Sequence, residues 1–149
     1  MVFKILHKRG FRCKIITAIS NQIFALVGVA YVDDCYLMQT GSDPVEVLTS
    51  MQELINSWGC LTEVTGGGLR TDKIWYHLID YIWKRGNWIA RDPEVHIELM
   101  ATDMPCKRKV LFRLQCNEAV EMLGVWMAPD GNSEKLVTYL KSKVVEWEG

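Results

Sequence analysis

The chain has no acidic residue before Asp33, although five basic residues stand in that stretch. An excess of positive charge at this place is typical of a targeting peptide, of a phosphate-binding arm or of the start of a truncated domain. A targeting peptide is disfavoured because no clean cleavage site is present and the basic part continues directly into an apolar stretch. The five basic residues are Lys4, Lys8, Arg9, Arg12 and Lys14.

Long apolar runs are missing too. The longest, Ile23 to Val32, has about half of the roughly 20 residues that a helix needs to cross a bilayer. We therefore expect no membrane span and no membrane partner. Internal repeats and low-complexity linkers are also absent from the sequence.

Paired cysteines of the C-x-x-C type are absent. The cysteines are widely spaced and odd in number, and the histidines stand far from them in sequence, which disfavours a zinc site. We expect reduced thiols in an intracellular protein, either cytoplasmic or nuclear. The cysteines are Cys13, Cys35, Cys60, Cys106 and Cys116.

What is present is an ordinary globular composition. Of 149 residues, 49% are apolar and 23% are charged, which suits one modest domain with its own core. The net charge of -1 gives no global indication of nucleic acid. We divide the chain into a basic segment of uncertain structure (1–22), a central region (23–132) and a C-terminal helix (133–149).

The first half of the chain predicts a hairpin followed by a helix. Ile23 to Tyr31 is apolar and predicts a buried strand, Cys35 to Met38 predicts its return strand, and Val32-Asp33-Asp34 then form the turn. A helix should run from Pro44 to Trp58. Asp43 is its N-cap, Glu46 closes a capping box and Gly59 ends it.

The second half predicts further strands and a last helix. Lys73 to Trp83 is expected to be one long strand, with the alternating Trp75, Tyr76, Tyr81 and Trp83 placing one face in the core. A base-stacking platform is the less favoured alternative for these rings. A turn at Lys84 to Asn87 follows, and then a hairpin of Val95–Met100 with Lys109–Gln115. A strand at Glu121–Met127 and a turn at Pro129–Asn132 come next. Ser133 caps the last helix, which carries Leu136, Leu140, Val144 and Trp147 on one face. The predicted class is α+β, with antiparallel hairpins packed against two helices.

Two adjacent aspartates, Asp33 and Asp34, interrupt the apolar stretch at the predicted hairpin turn. Aspartate is common in turns for structural reasons. However, this turn has no glycine, which tight hairpin turns favour, and the apolar flanks make two neighbouring negative charges costly. Mg²⁺ binds carboxylate oxygens and phosphates, and such an ion would relieve the repulsion. The pair therefore predicts a magnesium site.

Tyr31-Val32-Asp33-Asp34 resembles the Tyr-x-Asp-Asp signature of reverse transcriptases. In that family a helix, a glycine-rich turn and a lysine follow, as Pro44–Trp58, Gly66-Gly67-Gly68 and Lys73 do here. Met122-Leu123-Gly124-Val125 is similar to the family's primer-gripping hairpin. Order and spacing agree from Phe24 to Asn132. The resemblance, closest to the enzymes of eukaryotic retrotransposons, implies the C-terminal part of a polymerase palm over residues 23–132.

The resemblance also implies roles for individual residues in an RNA-directed DNA polymerase. Asp33 is the principal and Asp34 the supporting ligand of Mg²⁺, for which Mn²⁺ can substitute. Lys73 protonates the leaving pyrophosphate, although a plain solvated lysine at a strand end remains the alternative.

Three further residues are implied to bind the substrates. Tyr31 faces the primer end or the incoming nucleotide, and Leu123 with Gly124 forms the primer-grip turn, for which an ordinary strand end is the alternative. The implied partners are an RNA or DNA template-primer and a deoxynucleoside triphosphate. The oligomeric state is left open.

The same resemblance limits the expectation of activity. The family uses another aspartate from an earlier strand, and no acidic residue precedes Asp33 here. We expect a fragment that is inactive alone, and a strand at Ile23 that leaves an exposed edge and favours association. A non-catalytic remnant of a retroelement and a nucleic-acid-binding module that uses the basic segment remain alternatives.

Overall fold

The structure is a computed structural model, and it describes residues 2–17, 19–31, 34–103, 107–122 and 125–148. The side chains of Tyr31, Asp34 and Glu148 lie outside this description. The described residues combine helices with antiparallel strand hairpins, which confirms the predicted α+β class. None of the described helices is both long and apolar enough to cross a bilayer.

Helices and strands occupy short segments along the whole chain. The helices are α1 (Val2–Lys8), α2 (Pro44–Val64) and α3 (Glu134–Glu148), with a 3-10 turn η1 at Thr71–Lys73. The strands are β1 (Cys13–Ile16), β2 (Ile23–Leu26), β3 (Gly28–Tyr31), β4 (Asp34–Leu37), β5 (Trp75–His77), β6 (Asp80–Lys84), β7 (Asn87–Arg91), β8 (Met100–Asp103), β9 (Lys107–Val110), β10 (Phe112–Leu114), β11 (Val120–Met122) and β12 (Val125–Met127).

All sheets among the described residues are two-stranded. Five are antiparallel hairpins, β1–β2, β3–β4, β6–β7, β8–β9 and β11–β12. The sixth pairs β5 with β10 in parallel. The single long strand predicted over Lys73 to Trp83 was therefore wrong. The chain is divided at buried Leu78 because β5 pairs with β10 whereas β6 pairs with β7.

The chain forms two compact units. The first contains Met1–Ile74 with Val95–Leu111, and the second contains Trp75–Glu94 with Phe112–Gly149. The predicted central region, 23–132, spans parts of both units. Each unit has its own hairpins and one long helix, α2 in the first and α3 in the second.

The core of the first unit lies where α1 packs against α2. Leu6, Val27 and Leu54 are fully or almost fully buried there, and the rings of Phe3 and Trp58 stack with centroids 5.3 Å apart. The segment 1–22, whose structure the sequence left uncertain, thus contributes a short helix to this core. Three α-helices rather than two are present among the described residues.

Helix α2 begins as predicted but ends later. Asp43 is the N-cap, and its carboxylate accepts the backbone N–H groups of Val45 and Glu46 at 2.8 and 3.1 Å. The Glu46 carboxylate accepts from Ser42 Oγ at 3.4 Å instead of closing the predicted capping box. Gly59 does not end the helix, because α2 continues to Val64. Glycine can adopt helical backbone within a helix at only a modest cost in stability.

The predicted burial of the strand from Ile23 was also wrong. The segment is broken at Val27 into β2 and β3, and every residue of β2 is exposed. The reason is that β2 pairs with β1 alone, and a two-stranded ribbon without a covering layer exposes both of its faces. The exposed apolar side chains of this hairpin include Ile16, Ile23 and Phe24.

Helix α3 packs through a different face from the one predicted. Among the predicted residues, Leu136 is half-buried, but Leu140, Val144 and Trp147 are exposed. The contact with β12 is made beside Lys135, whose amine lies 3.8 Å from the centre of the Trp126 ring. The contact is a cation–π interaction, which favours a basic residue at the start of the helix. The face of α3 that packs against β12 is therefore not the purely apolar face that was predicted.

Loops of the second unit are held by polar contacts. The Asp92 carboxylate accepts the backbone N–H of Cys116 at 2.9 Å, and the side chain of Arg113 donates to the carbonyl of Pro93 at 2.8 Å. These contacts fix β10 beside the segment that follows β7. Because buried or half-buried backbone groups need partners, such contacts replace the ladder bonds that a wider sheet would supply.

Truncation of Leu54 should test the core of the first unit. Leu54 is 0% exposed, so Leu54→Ala should lower the free energy of unfolding by about 2–5 kcal/mol through lost burial and a cavity. Val64→Ala is the matched control, because Val64 is 85% exposed at the end of the same helix. Denaturant unfolding measures both, and equal losses would contradict this core.

Candidate functional site

The predicted magnesium hairpin corresponds to β3 and β4. The two strands pair antiparallel over four residues, from Gly28 opposite Leu37 to Tyr31 opposite Asp34. Because Tyr31 and Asp34 are partners, the chain reverses over the two positions between them. Those positions are Val32 and Asp33, and they lie outside the described residues. The predicted hairpin is therefore confirmed in its strands, whereas its tip stays a prediction.

Asp34 lies in a strand rather than in a turn. Both aspartates were predicted to lie in the turn, but Asp34 is the first residue of β4 and belongs to the strand ladder. Its side chain, like that of its partner Tyr31, lies outside the description. A strand position fixes the backbone of Asp34 through pairing, so a ligand at this position would be held by the sheet rather than by a turn.

The base of the hairpin is packed tightly. The carbonyl of Val27 accepts the backbone N–H of Met38 at 2.9 Å, which extends the pairing beyond the strands. At Gly28 a Cβ atom would fall inside the van der Waals contact distance of the Tyr36 carbonyl oxygen. Only glycine therefore allows the strands to approach this closely.

A cysteine follows the aspartates directly. Burial raises the pKa of Cys35 to about 11, so its thiol stays protonated at neutral pH. A protonated thiol is a weak nucleophile and a poor metal ligand. The chemistry of this hairpin is accordingly left to oxygen donors.

Lys73 lies at the end of η1, a turn that is held in place by a hydrogen bond from Thr71 to Asp103. Thr71 is 6% exposed, and its hydroxyl donates to Asp103 Oδ2 at 3.0 Å. Lys109 Nζ lies 2.7 Å from the same oxygen. No sequence motif predicts this contact, because Thr71 and Asp103 are 32 positions apart and belong to no shared motif.

The charge on this turn is partly neutralised. The guanidinium of Arg70 donates to the Asp72 carboxylate in a two-point contact, and this contact holds the pKa of Asp72 below its usual value. In the described part of the chain, Lys73 forms no ion pair. Its exposed amine is thus the cation that η1 presents to a ligand.

The predicted site residues belong to different elements and to different units of the chain. Tyr31 and Asp34 are partners in one ladder, but no hydrogen bond among the described residues links Lys73 to β3 or β4. Leu123 and Gly124 lie outside the described residues. They fall between Met122 and Val125, which are partners in the β11–β12 hairpin of the second unit.

Metal ligands were sought among the described side chains. No group of three or more His, Cys, Asp or Glu side chains lies close enough there to hold an ion. Asp33, and the side chain of Asp34, are outside that description. The donor set fits Mg²⁺ in its chemistry, since carboxylates are the hard oxygen ligands that this ion prefers.

Alanine substitutions at Gly28 and Gly59 should have opposite effects on stability, which distinguishes the close approach of strands at Gly28 from a general effect of replacing glycine. Gly28→Ala should destabilise the protein because its Cβ meets the backbone of Tyr36, which cannot turn away. Gly59→Ala should stabilise it by about 0.5–1 kcal/mol through helix propensity, since its Cβ meets only the Leu69 side chain, at 3.4 Å. Thermal or denaturant unfolding gives the two signs, and a stabilising Gly28→Ala would contradict the observed pairing.

No family model, no curated protein and no solved structure matches this chain. The resemblance to reverse transcriptases therefore rests on the motifs of the chain itself. The function is argued below from the chemistry of the hairpin and of the residues around it.

Proposed function

We propose that this chain carries part of the catalytic palm of a reverse transcriptase, an RNA-directed DNA polymerase. The observation that carries the proposal is the β3–β4 hairpin, whose paired strands end at Tyr31 and begin again at Asp34, with Val32 and Asp33 between them in sequence. The Tyr-x-Asp-Asp order of residues 31–34 matches this placement. The glycine-rich turn that precedes Lys73 supports it further.

Like charges explain why a metal belongs at this hairpin. Two neighbouring carboxylates repel one another, and the repulsion grows where apolar neighbours exclude water. A bound divalent cation removes that cost, and Mg²⁺ or Mn²⁺ would supply charge neutralisation for an attacking 3′-hydroxyl and for the triphosphate. Asp33 would hold such a cation as the principal ligand and Asp34 as the supporting one.

Other residues of the chain would bind the primer and the nucleotide and would protonate the leaving pyrophosphate. The amine of Lys73 is exposed and unpaired by any described carboxylate, so it can donate a proton to the leaving pyrophosphate. Tyr31 would contact the primer end or the incoming nucleotide, and Leu123 with Gly124 would hold the primer. The partners in this proposal are an RNA or DNA template-primer and a deoxynucleoside triphosphate.

The carboxylate set is incomplete within this sequence. Two-metal phosphoryl transfer needs ligands that bridge two ions, and the resemblance assigns that task to an aspartate on an earlier strand. No acidic residue stands on the N-terminal side of Asp33. We therefore propose that the chain is inactive as a polymerase unless another polypeptide segment completes the site.

The basic segment supports a second candidate function, the binding of nucleic acid without catalysis. Lys4 and Lys8 lie one helical turn apart on α1, and both are exposed, as are Arg12 and Lys14. No carboxylate exists in residues 1–32 to neutralise them. Unpaired, exposed cations of this kind contact phosphates and give binding that weakens steeply with salt.

Magnesium titration tests the metal role. We expect weak binding of Mg²⁺, because ligands from a single hairpin leave most coordination positions to water. Asp33→Asn should abolish it, whereas Glu53→Gln, an exposed acidic position on α2, should leave it unchanged. Calorimetry or NMR follows the titration, and identical curves for Asp33→Asn and the unmodified chain would remove the metal role.

Primer extension tests the completeness of the site. The purified chain, given a primed RNA or DNA template with Mg²⁺ or Mn²⁺, should add no nucleotides because the bridging carboxylate is missing. An unrelated active polymerase serves as the positive control for the substrates. Robust template-dependent synthesis that Asp33→Asn abolishes would show that the carboxylate set is complete after all.

A further inference from the structure

One face of the β6–β7 hairpin in the second unit is covered with exposed aromatic rings. Tyr81, Trp83 and Trp88 are 54%, 61% and 67% exposed. Trp83 is the direct partner of Trp88 in the ladder, and Tyr81 lies two residues before Trp83 on the same strand. Alternate strand residues and direct partners share a face, so these three rings form one aromatic face.

The exposure of this face corrects the sequence-based expectation. The sequence predicted that one face of a single long strand bearing Trp75, Tyr76, Tyr81 and Trp83 lies in the core, but Tyr81 and Trp83 are more than half exposed among the described residues. Trp83 and Trp88 pack edge to face, with ring centres 5.2 Å apart at 68°. Large exposed apolar patches on a soluble domain mark binding surfaces, and this one keeps its rings fixed by cross-strand pairing.

The tip of the same hairpin is cationic. Lys84 and Arg85 are exposed there, and neither forms an ion pair among the described residues. Arg85 and Gly86 have φ values of +51° and +84°, as a type I′ turn requires. Arginine is uncommon at positive φ, so the turn displays a guanidinium where asparagine is the usual residue. The only acidic residue of the hairpin, Asp80, is already paired with Arg91 at the far end.

We propose that the aromatic face and its cationic tip bind single-stranded nucleic acid. Bases stack on the rings of Tyr81, Trp83 and Trp88, and phosphates contact Lys84 and Arg85. Every base has a flat π-face, so such stacking tolerates any sequence. The inference goes beyond the proposed polymerase function and does not rest on it, because none of these residues belongs to the magnesium hairpin.

The spacing of the rings suits a stretched strand. Two residues along a β-strand cover about 7 Å, so Tyr81 and Trp83 are separated by about twice the 3.4 Å rise per nucleotide in duplex DNA. Bases that occupy both rings must therefore be splayed apart. A duplex cannot offer them, since its bases are stacked on one another.

The positive charge of Lys84 and Arg85 favours single-stranded nucleic acid over other ligands that bind aromatic surfaces. A neutral sugar polymer would use the rings but would leave Lys84 and Arg85 without a role. A lipid bilayer would be entered tip first, and the tip here is Lys84-Arg85-Gly86-Asn87, which is charged and polar. A single-stranded polyanion is the partner that uses both the rings and the cations.

Fluorescence anisotropy of the full chain with a labelled oligothymidine, in buffer without divalent metal, tests the proposal. Trp83→Ala and Trp88→Ala should each weaken binding about ten-fold, as loss of one base–aromatic stack does. Trp83→Phe should retain most of the affinity, which separates loss of stacking from misfolding. Trp147→Ala is the matched control, because Trp147 is 80% exposed on α3 and lies outside the aromatic face.

Two further arms sharpen the result. The same oligothymidine annealed into a duplex should bind more weakly than the single strand. Lys84→Gln and Arg85→Gln should each lower the slope of log affinity against log salt by about one. Lys8→Gln with Arg12→Gln should leave the effect of Trp83→Ala intact, since the basic segment belongs to the other unit.

Several outcomes would overturn the proposal. These are no binding of the single strand, equal affinity for Trp83→Ala and the unmodified chain, equal affinity for strand and duplex, or aromatic-dependent binding to anionic vesicles in place of the oligonucleotide. Because metal is absent from the assay, these results are independent of the magnesium titration. Failure of one proposal can therefore be distinguished from failure of the other.

Discussion

The burial of Val27 between two helices is the constraint on which the first unit depends. Val27 stands between β2 and β3 and is packed with Leu6 of α1 and Leu54 of α2. Its carbonyl also accepts the backbone N–H of Met38, just after β4. One buried residue thus ties the β3–β4 hairpin to the helical core at its base. A hairpin of two short strands is marginal by itself in water, so this attachment supports the strand in which Asp34 lies.

Two adjacent carboxylates make the stretch from Phe24 to Met38 electrostatically costly. Apolar residues flank two adjacent carboxylates, and the next side chain, Cys35, is half-buried with a raised pKa that leaves it neutral. No positive side chain among residues 24–38 is available in sequence to offset the two charges. The counter-charge that we propose for this pair is a divalent cation from solution.

Local chemistry made part of this fold predictable. Asp43 and Pro44 give the start of α2 because an N-cap acts on the residues that directly follow it. The strands on either side of residues 32 and 33 and the turn at Lys84–Asn87 were also predicted, but the strand β7 that follows this turn was not. The parallel pairing of β5 with β10 was not, because it joins segments 37 positions apart (Trp75 and Phe112) that carry no common motif. The anchoring of Thr71 by Asp103 escaped for the same reason.

Exposure was harder to predict than secondary structure. Alternation places Tyr81 and Trp83 on one face of a strand, but it does not say whether another layer covers that face. Ile23 and Phe24 illustrate the same limit in β2, which was expected to be buried. Residues of the candidate site were found through chemistry instead, since two adjacent carboxylates in an apolar stretch are costly wherever they lie.

The two hairpins with proposed ligands solve a shared physical problem in opposite ways. At β3–β4 the costly groups are two adjacent charges in an apolar stretch, and strand pairing holds the backbone of Asp34, the second of them. At β6–β7 the costly groups are apolar rings, held by the Trp83–Trp88 contact on a ribbon that nothing described covers. In both cases pairing between strands fixes the backbone of residues that are costly to leave exposed or uncompensated. These are Asp34 in the first hairpin and the aromatic residues in the second. A ligand that neutralised the charges or covered the exposed rings would recover the free energy lost by leaving such groups unsatisfied.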